Sequence, residues 1–284
     1  MDKRRAVIAG CGFLGEAAAG LFLREGWEVL GICRTAGSAA GLEGRGIRAA
    51  ALDVSAKFAA PDGWSGADVV VHCASSGGGG AGAYRAVYRD GMERVLEAFA
   101  PRRVVFVGST SVYAQGDGMW VDEDSPAEPV VETGRVLLEA ERIALAAGGV
   151  VARLGGIYGP GRAMYLQRFL EGSAVLEDGG GRFINLIHRD DGAAALVLLA
   201  GLPDVAGIFN VVDGTPATQR QIYGWLAEFF GRPLPPEGPA DPNRKRGLNS
   251  KCVRNTRLRS TGWAPEFPSY KFAIKQLAEY AKIS

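Results

Sequence analysis

Apolar residues along the first half of the chain fall into short, nearly continuous runs separated by helical patterns. "RAVIAG", "EVLGIC", "ADVVVHCA", "RRVVFVGS" and "GVVARLG" each read as a buried strand, and "GIRAAALD" as a weaker one. Between them, "FLGEAAAGLFLREG" predicts a helix that stops at Gly26, and "YRAVYRDGMERVLEAFA" predicts a long helix with Val87, Val95, Leu96 and Phe99 inward. A further helix lies in "EPVVETGRVLLEAERIAL", where Val136, Ala140, Ile143 and Ala147 recur at spacings of four, three and four. Strands without polar alternation, alternating with helices, predict a parallel sheet covered on both faces. After "IYGPGR" the pattern changes. "AMYLQRFLEG", "DDGAAALVLLAGL", "RQIYGWLAEFFG" and "PSYKFAIKQLAEYAK" predict helices, "GIFNVVDG" a strand, and "RPLPPEGPADPNRKRG" a proline-rich basic loop. The expected fold class is α/β, a Rossmann-type doubly wound parallel sheet with a smaller C-terminal lobe for substrate. The sheet domain is expected over residues 1–160, with 183–213 returning to it. The lobe is expected over 161–182 and 214–284.

Composition narrows this little. The chain of 284 residues has a formal net charge of +1, which gives no reason to expect nucleic acid or an anionic membrane as partner. No apolar run approaches the ~20 residues of a membrane span. The four cysteines form no paired motif, and only two histidines are present, so no metal site is expected. The reading is a reduced, cytoplasmic protein, monomer or homodimer, acting on a small molecule.

The candidate chemistry begins at "AGCGFLGEA". Gly10, Gly12 and Gly15 have the spacing G-x-G-x-x-G directly after the first strand and at the start of a helix. In that context the first glycine makes the turn, the second admits a pyrophosphate to the backbone, and the third lets helix and strand pack closely. A helix N-terminus carries partial positive charge and attracts phosphate, so Phe13 and Leu14 join the three glycines as backbone candidates. The second strand ends in Arg34 and Thr35 with no acid. An acid there would accept from a ribose 2′-hydroxyl, whereas a guanidinium suits a 2′-phosphate. The expected cofactor is therefore NADP, with NAD as the alternative. Asp53 either accepts from the adenine amino group or caps its own turn, and Val54 follows it. Ala74 and Ser75 lead into the glycine run "SSGGGGAGAY", where the chain would pass the dinucleotide.

With these residues in place, the chain resembles the extended short-chain dehydrogenase/reductase superfamily, the NAD(P)-dependent epimerase/dehydratases. The resemblance rests on "GCGFLG", "ALDVS", "ADVVVHCAS", "VVFVGSTSVYAQ", "EPVVETGRVLLEAE", "VARLGGIYGPGR" and "IHRDDGAAAL", and covers nearly the whole length. "NLIHRDD", "FNVVDGTPATQRQIYGWLAEFFG" and "RSTGWAPEFPSY" are similar to an atypical branch of short NADP-binding members. The resemblance implies a catalytic hydroxyl at Ser109, and a nicotinamide contact at Gly155, Gly156 and Ile157. Asp90 stands where typical members have Asn, as in the atypical branch, and either relays protons or is a buried acid satisfied by backbone.

The departure is at the catalytic pair. Typical members carry Tyr-x-x-x-Lys in the helix after the fifth strand. There the lysine charge favours the phenolate and lets the tyrosine exchange a proton with substrate. Here the two places are Thr133 and Leu137. None of the seven lysines lies in this helix, and no tyrosine is followed by lysine four residues on. A threonine hydroxyl is far too weak an acid to substitute. Tyr113 in "STSVYAQ" is the candidate replacement, or else an aromatic lining residue. His188 either reaches the substrate or makes a structural hydrogen bond. Two readings follow. One is an oxidoreductase acting on a nucleotide sugar or other small polar alcohol or ketone through a rearranged proton path. The other is an NADP-binding sensor or partner-binding protein without turnover.

Overall fold

A computed structural model describes residues 3–240 and 249–283. The proline-rich segment is described as far as residue 240, and its basic stretch "NRKRG" lies outside the described residues. In chain order the first elements are β1 (Arg5–Ala9), α1 (Phe13–Arg24), β2 (Glu28–Cys33), α2 (Ala36–Glu43), β3 (Ala49–Ala51) and β4 (Val69–His72). There follow α3 (Ala81–Tyr84), a π-turn (Arg85–Arg89), α4 (Asp90–Phe99), β5 (Arg103–Ser109), β6 (Met119–Val121), α5 (Glu132–Ala146) and β7 (Val150–Leu154). The remainder is β8 (Gly156–Tyr158), α6 (Met164–Leu170), β9 (Leu176–Glu177), β10 (Phe183–Ile184), β11 (Leu186–His188), α7 (Arg189–Gly201) and β12 (Gly207–Val211). It closes with β13 (Ala217–Thr218), α8 (Gln219–Phe230), β14 (Glu237–Gly238), β15 (Lys251–Val253), α9 (Thr256–Arg259) and α10 (Tyr270–Ile283). Among the described residues no helix is long and apolar enough to cross a membrane.

Seven strands form one sheet in the order β12-β7-β5-β4-β1-β2-β3. Pairing is parallel from β3 through β2, β1 and β4 to β5. The order reverses between β1 and β4, the place where open α/β sheets bind ligands. The strands are buried on both faces, as their apolar runs require: Ala6 to Ala9 and Val104 to Phe106 are at most 1% exposed.

Two compact units emerge. The first comprises Met1–Val112, Glu128–Arg153 and Ala193–Phe209; the second comprises Tyr113–Ala127, Leu154–Gly192 and Asn210–Ser284. The second unit has its own core, in which Tyr165, Phe169, Tyr223, Leu226, Tyr270 and Leu277 pack together. Its α8 begins with a reciprocal cap: Thr218 accepts from the Gln221 amide, and the Gln221 side chain accepts from Thr218 N. It ends at Gly231, whose φ of +62° suits glycine.

Two helices depart from the sequence pattern. The long helix predicted over "YRAVYRDGMERVLEAFA" is interrupted by the π-turn, which shifts its register so that Met92, Val95 and Phe99 are buried while Val87 and Leu96 are only half-buried. In α5 the buried stripe is Val136, Leu137, Ala140, Glu141 and Ala144, and Ala147 is exposed. The reason is Glu141. It lies against Arg153 of β7, with Arg153 Nε 3.0 Å and Nη2 2.7 Å from its carboxylate oxygens, and both side chains are at most 4% exposed.

Candidate active site

The first unit gathers the carboxyl ends of β1, β2, β3, β4 and β5 at one edge of the sheet. The turn after β1 is built from close approaches. Gly10 has φ +94°, and a Cβ there would lie 2.3 Å from the Ala74 backbone after β4. Gly10 N and Cys11 N both donate to Ile32 O of β2, at 3.0 and 2.8 Å. A Cβ on Gly15 would lie 2.6 Å from Gly10 O, so α1 sits directly on the turn. Gly12 differs: a Cβ would meet nothing within 4 Å. The turn is therefore open at Gly12 alone, and no side chain caps α1. Phe13 and Leu14 are the first residues of that helix. This is a surface that a pyrophosphate fits, with helix amides and the α1 dipole aimed at it. Burial pushes the Cys11 thiol up to about 12, and the buried Cys73 thiol, which donates to Gly10 O at 3.2 Å, is pushed up further.

Arg34 is exposed at the end of β2, and Thr35 caps α2 by accepting from Ser38 N at 3.2 Å. Asp53 accepts from Ser55 N at 2.9 Å and from Ser55 Oγ at 2.7 Å. These bonds, helped by the charge of Arg34 and Arg94, hold its carboxyl below the usual range. Asp53 thus caps its own turn, within the field of Arg34. Val54 is buried, and its carbonyl accepts from Arg94 at 3.3 Å. Ser75 is exposed, and its hydroxyl accepts from Gly77 N at 3.4 Å at the start of the glycine run.

Ser109 ends β5, half-buried, and accepts from Ser111 N at 3.2 Å. Helix α5 packs beside β5 and the following 3₁₀ turn, Thr110–Val112, which brings Thr133 into the same unit as Ser109. Thr133 lies half-buried in the first turn of α5, while Leu137 is only 4% exposed. Asp90 begins α4 after the π-turn and accepts from Arg89 Nη1 at 2.8 Å. Arg85 and Arg89 bridge the π-turn to Glu139 of α5. Arg135 pairs with Glu132 at 3.0 Å on the exposed face.

The second unit holds the remaining residues. Tyr113 is fully buried, and its hydroxyl donates to Asn210 Oδ1 at 2.9 Å. Asn210 in turn donates from its backbone to Glu123 Oε1 at 2.8 Å and from its side chain to Arg254 O at 3.1 Å. Neither Asn210 nor Glu123 stood out in the sequence, because "GIFNVVDG" reads simply as a strand. His188 is fully buried, with its ring centroid 4.0 Å from that of Phe267 in a tilted arrangement and edge-on to Tyr158, and its Nδ1 accepts from Asp190 N at 3.3 Å. Burial pushes it below the usual imidazole range. Asp213, also missed, is 2% exposed, and burial pushes it up to about 8. Gly155 N donates to Val211 O at 3.1 Å and Gly156 N to Asn185 O at 2.8 Å; Ile157 sits half-buried on β8, pairing with β11.

Known proteins share the sequence and the fold of this chain over nearly its whole length. Protein YeeZ of Escherichia coli K12 is 29% identical over 275 residues, spanning 93% of this chain and 97% of YeeZ. The dTDP-6-deoxy-L-talose 4-dehydrogenase (NAD(P)(+)) of Kitasatospora kifunensis is 28% identical over 317 residues, spanning 96% of this chain and 94% of that enzyme. The crystal structure of human epimerase family protein SDR39U1 with NADPH has the same fold, with TM-score 0.77 and 23% identity over 97% of this chain and 99% of that one. The profile of the NAD dependent epimerase/dehydratase family matches residues 6–211, and the chain belongs to that family.

Proposed function

We propose that the protein binds NADP(H) at the β1–α1 turn. We further propose that it acts as an oxidoreductase or epimerase on a nucleotide sugar or another small polar alcohol or ketone. The observation that carries the reading is the turn itself: closed around Gly10 and Gly15, open at Gly12, and followed directly after β2 by Arg34 rather than an acid. A bound nicotinamide dinucleotide would supply hydride chemistry. The chain's own part is to cradle the phosphates on the α1 amides, to hold a 2′-phosphate on Arg34, and to offer the Ser109 hydroxyl as a hydrogen-bonding group for the substrate oxygen. A nucleotide-sugar substrate is supported by the dTDP-sugar named in the Kitasatospora relative. A reduced, cytoplasmic setting is supported by the four free cysteines.

Arg34→Ala tests the cofactor. A bidentate guanidinium–phosphate pair contributes roughly 1.5–3 kcal/mol, so NADP affinity is expected to fall about 10- to 100-fold while NAD affinity holds. Calorimetric titration of both cofactors reads this directly, and equal wild-type affinities would refute the assignment.

A second reading, binding without turnover, is favoured by two observations. Leu137 is packed into the core where a lysine would be needed, and the Tyr113 hydroxyl is committed to Asn210 inside a buried network. The readings are separated by stopped-flow spectroscopy of bound cofactor against a panel of nucleotide sugars. The oxidoreductase reading predicts wild-type turnover that survives Thr133→Ala. The binding reading predicts no wild-type turnover and weak activity only when Thr133→Tyr and Leu137→Lys are combined. Either change alone should fail, because the tyrosine then keeps its free pKa or the lysine has nothing to tune. In the double variant the buried lysine also carries a desolvation cost, so a lowered melting temperature is expected with it.

A further inference from the structure

Lys251 opens β15 and is 7% exposed. Pairing of β15 with β6 sets Lys251 opposite Met119 and Val253 opposite Val121. Alternation along the strand puts Lys251 on the face of Val253, which is fully buried. The backbone around it is fixed from several sides. Asn185 donates to Lys251 O and accepts from Val253 N, both at 2.8 Å. Gly118 N donates to Ser250 O at 2.8 Å, and Ser250 Oγ accepts from Phe183 N at 3.1 Å. Asn249 donates its side-chain amide to Tyr113 O at 3.0 Å, within the same unit.

None of these bonds engages the ammonium. Among the described residues no carboxylate pairs with Lys251, and β6 and β10, which pack against β15, contribute Met119, Trp120, Val121, Phe183 and Ile184, none of them titratable. The described charged residues that flank these three strands are engaged elsewhere: Arg182 with Glu177 at 3.9 Å, Arg254 over the Trp120 ring at 4.7 Å, and Glu123 with Asn210. Burial alone pushes the amine down to about 8. An ammonium held on a rigid strand, nearly buried and without a counter-ion, is costly in the folded protein unless an anion arrives to complete it. Arg153 shows the contrast, since its guanidinium is met by a bidentate carboxylate.

We infer that Lys251 is an oxyanion receptor of the second unit, taking a carboxylate or phosphate oxygen of the small-molecule substrate. The assignment rests on the substrate reading above, and it adds that the substrate is anionic at a defined point.

The test is calorimetric titration of the NADP-saturated protein with inorganic phosphate and, separately, with acetate. It is run at pH 8.5 in two buffers of different ionisation enthalpy. Saturation with NADP fills the phosphate cradle at Gly12. At this pH neither anion releases or takes up a proton by itself, whereas a lysine titrating near 8 is mostly neutral and must regain its proton to bind an anion. The expected result is saturable binding of one of the two anions with uptake of more than half a proton, and that anion identifies the substrate group. Lys251→Met is expected to fold, to melt no lower than wild type, and to bind the anion at least tenfold more weakly without proton uptake. Anion binding unchanged in Lys251→Met, or binding by neither anion, overturns the inference. Should Lys251→Met fail to fold, the wild-type measurement decides: binding without proton uptake overturns it. The preliminary NADP titration reports separately on the cofactor reading, so the two failures are distinguishable.

Discussion

Gly12→Val is expected to melt at the wild-type temperature and to lose NADP binding by at least about 100-fold, equivalent to about 2.7 kcal/mol. The structure separates two glycines that the motif treats alike. At Gly12 a Cβ meets no protein atom within 4 Å, so the branched side chain is accommodated by the fold and stands only where the pyrophosphate would approach. At Gly10 a Cβ would collide with the Ala74 backbone at 2.3 Å from a φ of +94°, so Gly10→Ala is expected to lose several kcal/mol of stability before binding is in question. Thermal melts with and without NADP read both effects. Binding to a folded protein raises its melting temperature, so a Gly12→Val variant that still gains stability from NADP would place the phosphates elsewhere.

Glu141→Ala is expected to destabilise the first unit by about 3–5 kcal/mol in urea unfolding, the usual cost of removing one partner from a buried ion pair. Arg153 meets the carboxylate through both Nε and Nη2 with almost no solvent access. Without it the guanidinium keeps its charge in a site that water does not reach. Replacing both residues by methionine is expected to recover most of the loss, because well-packed apolar side chains of similar length remove the desolvation penalty together with the attraction. The pair also bears on the site. A Cβ on Gly108 would lie 3.0 Å from Glu141 Oε1, so the carboxylate is tucked beneath β5 one residue before Ser109. Loss of Glu141 should therefore broaden the unfolding transition and weaken any substrate-dependent signal that relies on Ser109. A change below 1 kcal/mol would mean that water reaches the pair.

The parallel sheet and the glycine turn were legible from the chain because both are written in adjacent residues. Strands buried on two faces need unbroken apolar runs, and a turn that must close onto the next strand needs glycine at one place whatever surrounds it. That no tyrosine in the chain is followed by lysine four residues on was legible for the same reason, since such a pair would stand one helical turn apart. The inward face of α5 was misread because Glu141 counts as polar until Arg153, twelve residues away, supplies its partner. The break in the helix before Asp90 was equally hidden, since none of the five residues of the π-turn, Arg85 to Arg89, is a glycine or proline.

What the sequence determined by itself is the class of fold and the glycine turn after the first strand, each of which depends on residues within a few positions of one another. Only the tertiary structure decided that Tyr113 spends its hydroxyl on Asn210, 97 residues away, and that Lys251 is buried with no counter-ion among the described residues. These outcomes depend on which atoms stand within hydrogen-bonding distance and on how much water remains around a charge. Both are properties of packing between distant segments, and no local pattern of residues encodes them.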